Sequence, residues 1–340
     1  MTLRSLLGAA ALSTLLLPAK EYSITVQDEG GAPLPGATVS ALFSRTNDPR
    51  LSSMKDRDGK TGPDGVFRCE ANEDMCLVRL RASSPGRFAA DVTEVHGLNR
   101  FPSEPAHVIT LPKETEGIPL CYKDVRINAR AGNLPQHTWV GYDLAMGDVV
   151  APWGRGETAD LRFWNEGKQV GWRQPEDAIA ELRKDKDLAR MSEAEFSDLF
   201  GTFRGVTRVV TGKAGDGLVR SKSYWPYCRL KMPAEAPNDG YVENLELPYP
   251  ILPTSDLSDE SAGYYLRVRT KLSPDGKVAS AHYAKIQGGI RTGQGWVEFR
   301  YYYNPRPNDR RLALDVKQNL LQPRSGMSDP EETRYRPFEP

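Results

Sequence analysis

The feature that most constrains the fold is the alternation of apolar and polar residues in short segments separated by turn-forming residues. In residues 264–271 (YYLRVRTK) aromatic or aliphatic positions alternate with basic ones, and the turn Ser-Pro-Asp-Gly follows at 273–276. Two further alternating segments lie at 278–286 and 296–303. Because successive side chains of a strand point to opposite faces of a sheet, this pattern predicts an antiparallel three-stranded meander.

The first third of the chain shows the same pattern without helical periodicity. Residues 22–26 and 37–43 alternate, and residues 66–67 and 77–81 begin further strand-like segments. Turn-forming dipeptides separate these segments at Asp58–Gly59 and Asp64–Gly65. Short strands at this spacing predict a small β-sandwich.

Three motifs in this region resemble the carboxypeptidase regulatory-like family. They are V-x-D-x-x-G-x-P-L-P-G-A-x-V at Val26–Val39, T-G-P-D-G-V-F at Thr61–Phe67 and S-S-P-G-R-F at Ser83–Phe88. The resemblance implies a transthyretin-like β-sandwich that serves as a non-catalytic spacer or binding module.

The aromatic residues divide the chain near residue 115. All six Trp lie between positions 139 and 296, and thirteen of fourteen Tyr lie after position 120. Pro175 and the capping box Ser192–Glu195 predict two short helices. We therefore predict a first domain at 21–112, a linker at 113–117, a second domain at 118–322 with a helical insert at about 175–202, and a disordered tail at 323–340.

The second domain is predicted to be a larger antiparallel β-sandwich or jelly-roll-like domain, so the fold class is mainly β. Two of its segments, Gly147–Asp160 (GDVVAPWGRGETAD) and Tyr301–Leu312 (YYYNPRPNDRRL), resemble uncharacterised secreted proteins of Verrucomicrobia and Planctomycetes. This resemblance implies export and carries no chemistry.

The N-terminus has the pattern of a secretory signal peptide at residues 1–19. Arg4 precedes an uncharged, mostly apolar run at 5–19 that is too short to cross a bilayer. An uncleaved anchor and a cytosolic helix are the alternatives. No other segment reads as membrane-spanning, so we expect export to the periplasm or the cell surface.

The four cysteines are even in number, as expected of an exported protein. Bridges Cys69–Cys76 and Cys121–Cys228 are the simplest of three pairings, and free buried thiols are the alternative. No two cysteines have C-x-x-C spacing, so their positions do not indicate a metal site.

Recognisable catalytic motifs are absent. No His is followed by Glu three residues later, as a zinc carboxypeptidase requires, and there is no G-x-S-x-G elbow, P-loop or dinucleotide fingerprint. The sequence therefore indicates no cofactor and no metal. A glycosidase needs only two carboxylates facing a cleft. Candidates for them are Glu243, Glu246, Glu298 and Asp216.

Two sets of side chains are candidate binding residues. The aromatic set could stack on sugar rings or plug the core; it comprises Trp153, Trp164, Trp172, Tyr224, Trp225 and Tyr227. The basic set could bind an anion or form a solvated sheet face paired with Glu298; it comprises Arg267, Arg269, Lys271, Lys285 and Arg300.

The charge balance completes the functional expectation. With 45 basic and 45 acidic residues the chain is neutral, which disfavours nucleic acid as a partner. We expect an exported, non-enzymatic binding or structural protein of the cell envelope, with polysaccharide or other envelope proteins as partners. A carbohydrate-active hydrolase and a subunit of a larger surface assembly are the alternatives.

Overall fold

The computed structural model describes residues 19–44, 54–72, 75–93, 105–128, 135–186, 188–224, 228, 230–249 and 262–337. Strands make up 54% of the structure and helices 9%, which confirms the predicted mainly β class. The chain divides into two compact units, Met1–Leu111 and Pro112–Pro340. The predicted signal peptide lies, except for its last residue, outside the described residues. Within those residues no helix is long and apolar enough to cross a membrane.

Unit 1 is built from two sheets. Its strands are β1 (Ala19–Gln27), β2 (Thr38–Ser44), β3 (Lys55–Lys60), β4 (Val66–Asn72), β5 (Cys76–Ser83), β6 (Ala90–Thr93) and β7 (Ala106–Thr110). One sheet has the order β4-β1-β7, with β7 parallel to β1, and the other has the order β3-β2-β5-β6. The predicted alternation places Ile24 and Val26 inside, and the Tyr22 and Phe43 rings meet between the sheets at 4.8 Å.

One predicted turn of unit 1 is wrong. Asp58–Gly59 lies inside β3, where it pairs with Ser40 and Val39 of β2. The Phe67 ring packs over Gly59, where an added Cβ would come within 2.5 Å of it. The glycine is therefore required by close packing and not by a turn.

Unit 2 also contains two sheets. Its strands are β8 (Ile118–Asn128), β9 (Val140–Asp143), β10 (Asp148–Val149), β11 (Leu161–Trp172), β12 (Gly201–Thr211), β13 (Gly217–Lys222), β14 (Asn244–Tyr249), β15 (Ala262–Leu272), β16 (Val278–Gly293), β17 (Trp296–Asn304) and β18 (Leu314–Asn319). A five-stranded sheet has the order β10-β9-β11-β12-β14, and a six-stranded sheet has the order β13-β15-β16-β17-β8-β18. The predicted meander is β15-β16-β17.

The main core of unit 2 lies between these sheets. Phe163 of β11 packs against Phe299 of β17 at 5.6 Å, and neighbouring aliphatic residues of both sheets surround them. The outer face of the six-stranded sheet is covered as well: Tyr265 and Tyr283 pack with Met232 and Leu312 there. This sheet is therefore buried on both faces over much of its area.

The predicted helical insert connects β11 and β12. It consists of α1 (Glu176–Leu182), a 3₁₀ turn (Leu188–Arg190) and α2 (Glu193–Phe200). The capping box is formed as predicted, with the Ser192 hydroxyl and the Glu195 carboxylate each accepting from the other's backbone N–H. Phe196 of α2 is buried against Trp172.

The expectation of a disordered tail is wrong for its described part, residues 323–337. This segment contains α3 (Asp329–Thr333) and packs against β8. The Arg334 carbonyl accepts from the Asp124 N–H, and the Tyr335 carbonyl accepts from Asn319 Nδ2 at 2.8 Å. These contacts satisfy polar groups beside an otherwise open strand edge, which composition alone does not reveal.

The structure contains neither of the predicted disulfides. Cys69 of β4 is buried, whereas Cys76 begins β5 in the other sheet of unit 1 and is exposed. Cys121 lies in the core between the two sheets of unit 2, and burial raises the pKa of its thiol to about 12.

Candidate functional site

The outer face of the five-stranded sheet, called the open face here, presents polar and aromatic side chains. Phe163 and Asn165 of β11 point inward and are buried, so the alternation turns Arg162, Trp164 and Glu166 outward. Lys168 continues the outward row and is exposed. On β12 and β14, the outward side chains beside this row are Arg204, Arg208 and Glu246.

Two tryptophans form the centre of the open face. Trp139, just before β9, is 44% exposed, and its ring centroid lies 6.5 Å from that of Trp164. The His137 ring meets Trp164 edge-on at 5.6 Å. One arginine guanidinium lies over a face of each ring: Arg208 lies 4.4 Å from the Trp164 ring centre and Arg162 lies 5.8 Å from that of Trp139.

A hydrogen-bonding pair stands beside the tryptophans. Trp164, Arg208 and Glu246 are register neighbours on β11, β12 and β14. Arg208 Nε donates to Glu246 Oε1 at 2.9 Å. The open face thus combines flat apolar rings with a guanidinium and a carboxylate, the groups that contact the carbon faces and hydroxyls of a sugar.

Buried Asn165 holds this platform together. Its Nδ2 donates to Thr207 Oγ1 and to the Gly293 carbonyl, both at 2.9 Å, and its Oδ1 accepts from the Gly295 N–H at 3.1 Å. Its backbone carbonyl accepts from the His137 N–H at 2.9 Å. Asn165 therefore ties the segment that carries Trp139 to the strand that carries Trp164.

The predicted aromatic set is only partly assembled. Trp164 lies on the open face, but Trp153 lies in the loop after β10, and Trp172 packs on Phe196. The Tyr224 N–H donates to the Lys231 carbonyl at 2.7 Å. Trp225 and Tyr227 lie outside the described residues. Sequence reasoning missed Trp139 and His137, whose position depends on the long-range contacts of Asn165.

The predicted basic face is not assembled. Lys285 is fully buried, with Nζ 4.5 Å from the Tyr302 ring centre. Arg267 Nε donates to the Gly215 carbonyl at 2.7 Å, and Arg300 pairs with Asp124 at 3.1 Å. Of this set, only Lys271 is exposed.

Arg269, the remaining member, crosses between the sheets. Its φ of 54° falls at a bulge in β15, which redirects the side chain inward. Nε and Nη2 donate to the two oxygens of Asp160 at 2.8 Å, and Nη2 also donates to Asp143 Oδ1 at 2.7 Å. Both carboxylates are buried.

Backbone groups complete this ion-pair cluster. Burial acts to raise the pKa of Asp143, but the N–H groups of Thr158, Met146 and Glu157 and the Arg269 guanidinium together bring this pKa below its ordinary value. Burial raises the pKa of Asp160 in spite of Arg269. The segment Gly147–Asp160, which begins with β10, therefore folds around fixed carboxylates, and this gives its sequence pattern a structural reason.

The four candidate catalytic carboxylates do not converge. Glu298 alternates with core residues of β17 and pairs with Arg126 at 3.0 Å and Arg291 at 2.6 Å, neither of which belongs to the predicted basic set. Glu246 lies on the outer face of the other sheet. Asp216 accepts from the Thr270 N–H at 2.8 Å, and Glu243 is exposed before β14.

Comparisons with known proteins give no assignment. No protein family matches the sequence, and no curated protein matches it. Among solved structures, a protein of unknown function from Bacteroides fragilis is 11% identical, over 85% of this chain and 98% of the other, with a TM-score of 0.19. This likeness is too low to carry an argument.

Proposed function

We propose that this chain is an exported, non-enzymatic glycan-binding protein of the cell envelope and that the open face is its binding surface. The observation that carries the proposal is the pairing of exposed Trp139 with half-buried Trp164 on the outer face of the five-stranded sheet, beside the Arg208–Glu246 pair. Large aromatic side chains that combine apolar area with few rotatable bonds are efficient binding residues.

Rigidity supports the proposal. The Asn165 hydrogen bonds hold the two ring-bearing segments in place before any ligand arrives. A preformed surface loses less conformational entropy on binding than a flexible one. Arg208 is already oriented by Glu246, so its remaining N–H groups are available to ligand hydroxyls.

The proposal that the protein is not an enzyme is based on the positions of the candidate carboxylates. The hydrolase alternative requires two of them across a cleft, whereas Glu298 is held by two arginines and Glu246 by one. Export rests on the signal-like N-terminus, and the resemblance of the first domain to regulatory-like modules is in keeping with a binding role.

A glycan array on the chain from Lys20 onward tests the proposal. Trp164→Ala and Trp139→Ala are each expected to weaken binding of any glycan hit by tenfold or more. Trp153→Ala is the matched control. The exposed fraction of Trp153, 37%, is similar to the 44% of Trp139, but Trp153 lies outside the open face. Absence of any hit, or equal losses in all three variants, contradicts the proposal.

A further inference from the structure

The open face carries more positive charge than its central ion pair requires. Among the described residues, four cations, Arg162, Lys168, Arg204 and Arg208, share it with the carboxylates of Glu166 and Glu246. Subtracting two from four leaves a local excess of two positive charges, in a chain whose 45 basic and 45 acidic residues cancel. The excess is therefore a property of this face and not of the composition.

Three of these cations have no carboxylate partner among the described residues. Arg208 pairs with Glu246, but no described acidic group lies in ion-pair range of Arg162, Lys168 or Arg204. Moreover, Lys168 and Arg204 are directly opposite each other in the β11–β12 register, and both are exposed. Like charges in this arrangement are destabilising, so folding alone gives no reason for the pair.

The positions of the cations fit a linear polyanion. Arg162 and Lys168 lie six residues apart on β11, which corresponds to roughly 20 Å at about 3.3 Å per residue. Trp164 lies between them, and the Lys168–Arg204 pair marks one end of the row. A chain lying along β11 would meet a cation at each end, with the Trp164 ring and the Glu166 carboxylate between them.

We propose that the ligand of the open face is an anionic polysaccharide, charged through carboxylate or sulfate groups, that lies along β11. This inference rests on the proposed function and narrows its ligand class. Nucleic acid is the competing polyanion, and single-stranded oligothymidylate represents it in the test.

Paired polymers that differ only in charge test the inference. Polygalacturonate is compared with its methyl ester, and dextran sulfate with dextran, by titration calorimetry on the chain from Lys20 onward. At low salt we expect the charged member of at least one pair to bind tenfold or more tightly than its neutral partner. The difference should shrink at 1 M salt, where charges are screened beyond about 3 Å.

The double variant Lys168→Gln/Arg204→Gln separates charge from stacking. It is expected to lose about tenfold in affinity for the charged polymer and to keep whatever affinity the neutral polymer has. Its thermal midpoint should not fall, because the change removes a like-charge contact. Lys317→Gln, an exposed lysine on β18 in the other sheet, is the matched control and should change nothing.

The outcomes distinguish the inference from the function on which it rests. Equal binding of charged and neutral polymers overturns the anionic ligand and leaves glycan binding standing. Absence of binding to any polymer or to any glycan on the array overturns both. Binding of single-stranded oligothymidylate as tightly as of the charged polysaccharide overturns the assignment in favour of nucleic acid.

Discussion

Replacing Arg269 by Met should be among the most damaging single changes in unit 2. The guanidinium is the cation that faces two buried carboxylates, with contacts of 2.8 Å to Asp160 and 2.7 Å to Asp143. Met fills a similar volume but leaves both charges without a counter-ion. Removing one partner of a buried ion pair costs about 3–5 kcal/mol, because the remaining charge stays desolvated.

Urea unfolding followed by tryptophan fluorescence reports on unit 2, because all six Trp lie between positions 139 and 296. With a slope of roughly 2–3 kcal/mol per molar urea, the expected loss lowers the midpoint by roughly 1–2.5 M. Adding Asp160→Asn to Arg269→Met should recover part of the loss, because the amide replaces an uncompensated charge.

The matched control is Arg126→Met, which also removes an arginine from an ion pair. Arg126 contacts Glu298 at 3.0 Å, but its side chain is exposed and Arg291 remains with the carboxylate. Exposed pairs contribute about 0–1 kcal/mol. If Arg269→Met lowers the free energy of unfolding no more than this control does, the buried ion-pair cluster of Arg269, Asp143 and Asp160 does not stabilise unit 2, and the prediction is wrong.

Three further outcomes are expected. Burial, with Arg269 and Lys271 nearby, lowers the pKa of His282. Because the folded protein then favours the neutral imidazole, the contribution of His282 to the free energy of unfolding should be complete above about pH 6.5 and should be lost as the pH falls through the lowered pKa. In urea unfolding, His282→Gln should flatten this pH dependence. Deleting residues 323–340 uncovers the edge of β8 and should promote self-association in sedimentation experiments. Trp139→Ala should reduce the free energy of unfolding by about 1 kcal/mol or less, whereas Phe163→Ala should cost about 3–5 kcal/mol by the same assay.

Alternation predicted the strands well because burial of one sheet face imposes a period of two on the sequence. The meander of β15, β16 and β17 and the strands β1 and β2 of unit 1 follow this rule closely. The rule fails where local backbone geometry changes the face. Arg269 shares the polar register of Arg267 in the sequence, but a bulge with positive φ sends it into the interior.

The candidate site was predictable only in part, for a related reason. Trp164 belongs to a regular strand, so its outward direction follows from its neighbours Phe163 and Asn165. Trp139 lies before β9, and its place beside Trp164 depends on a hydrogen bond from His137 to the Asn165 carbonyl. A contact across 28 positions leaves no periodic signal in the sequence.

The outer faces of the two sheets of unit 2 differ in how far other parts of the chain cover them. The six-stranded sheet covers its outer face with chain from residues 230–242 and 305–314, and even Lys285 is buried there against Tyr302. Exposed aromatic rings add little to stability, and like charges placed opposite each other reduce it. The open face has both features. Packing therefore explains the residues on the outer face of the six-stranded sheet but not those on the open face of the five-stranded sheet. Under the proposed function, a ligand that stacks on the rings and carries negative charge would make both features favourable.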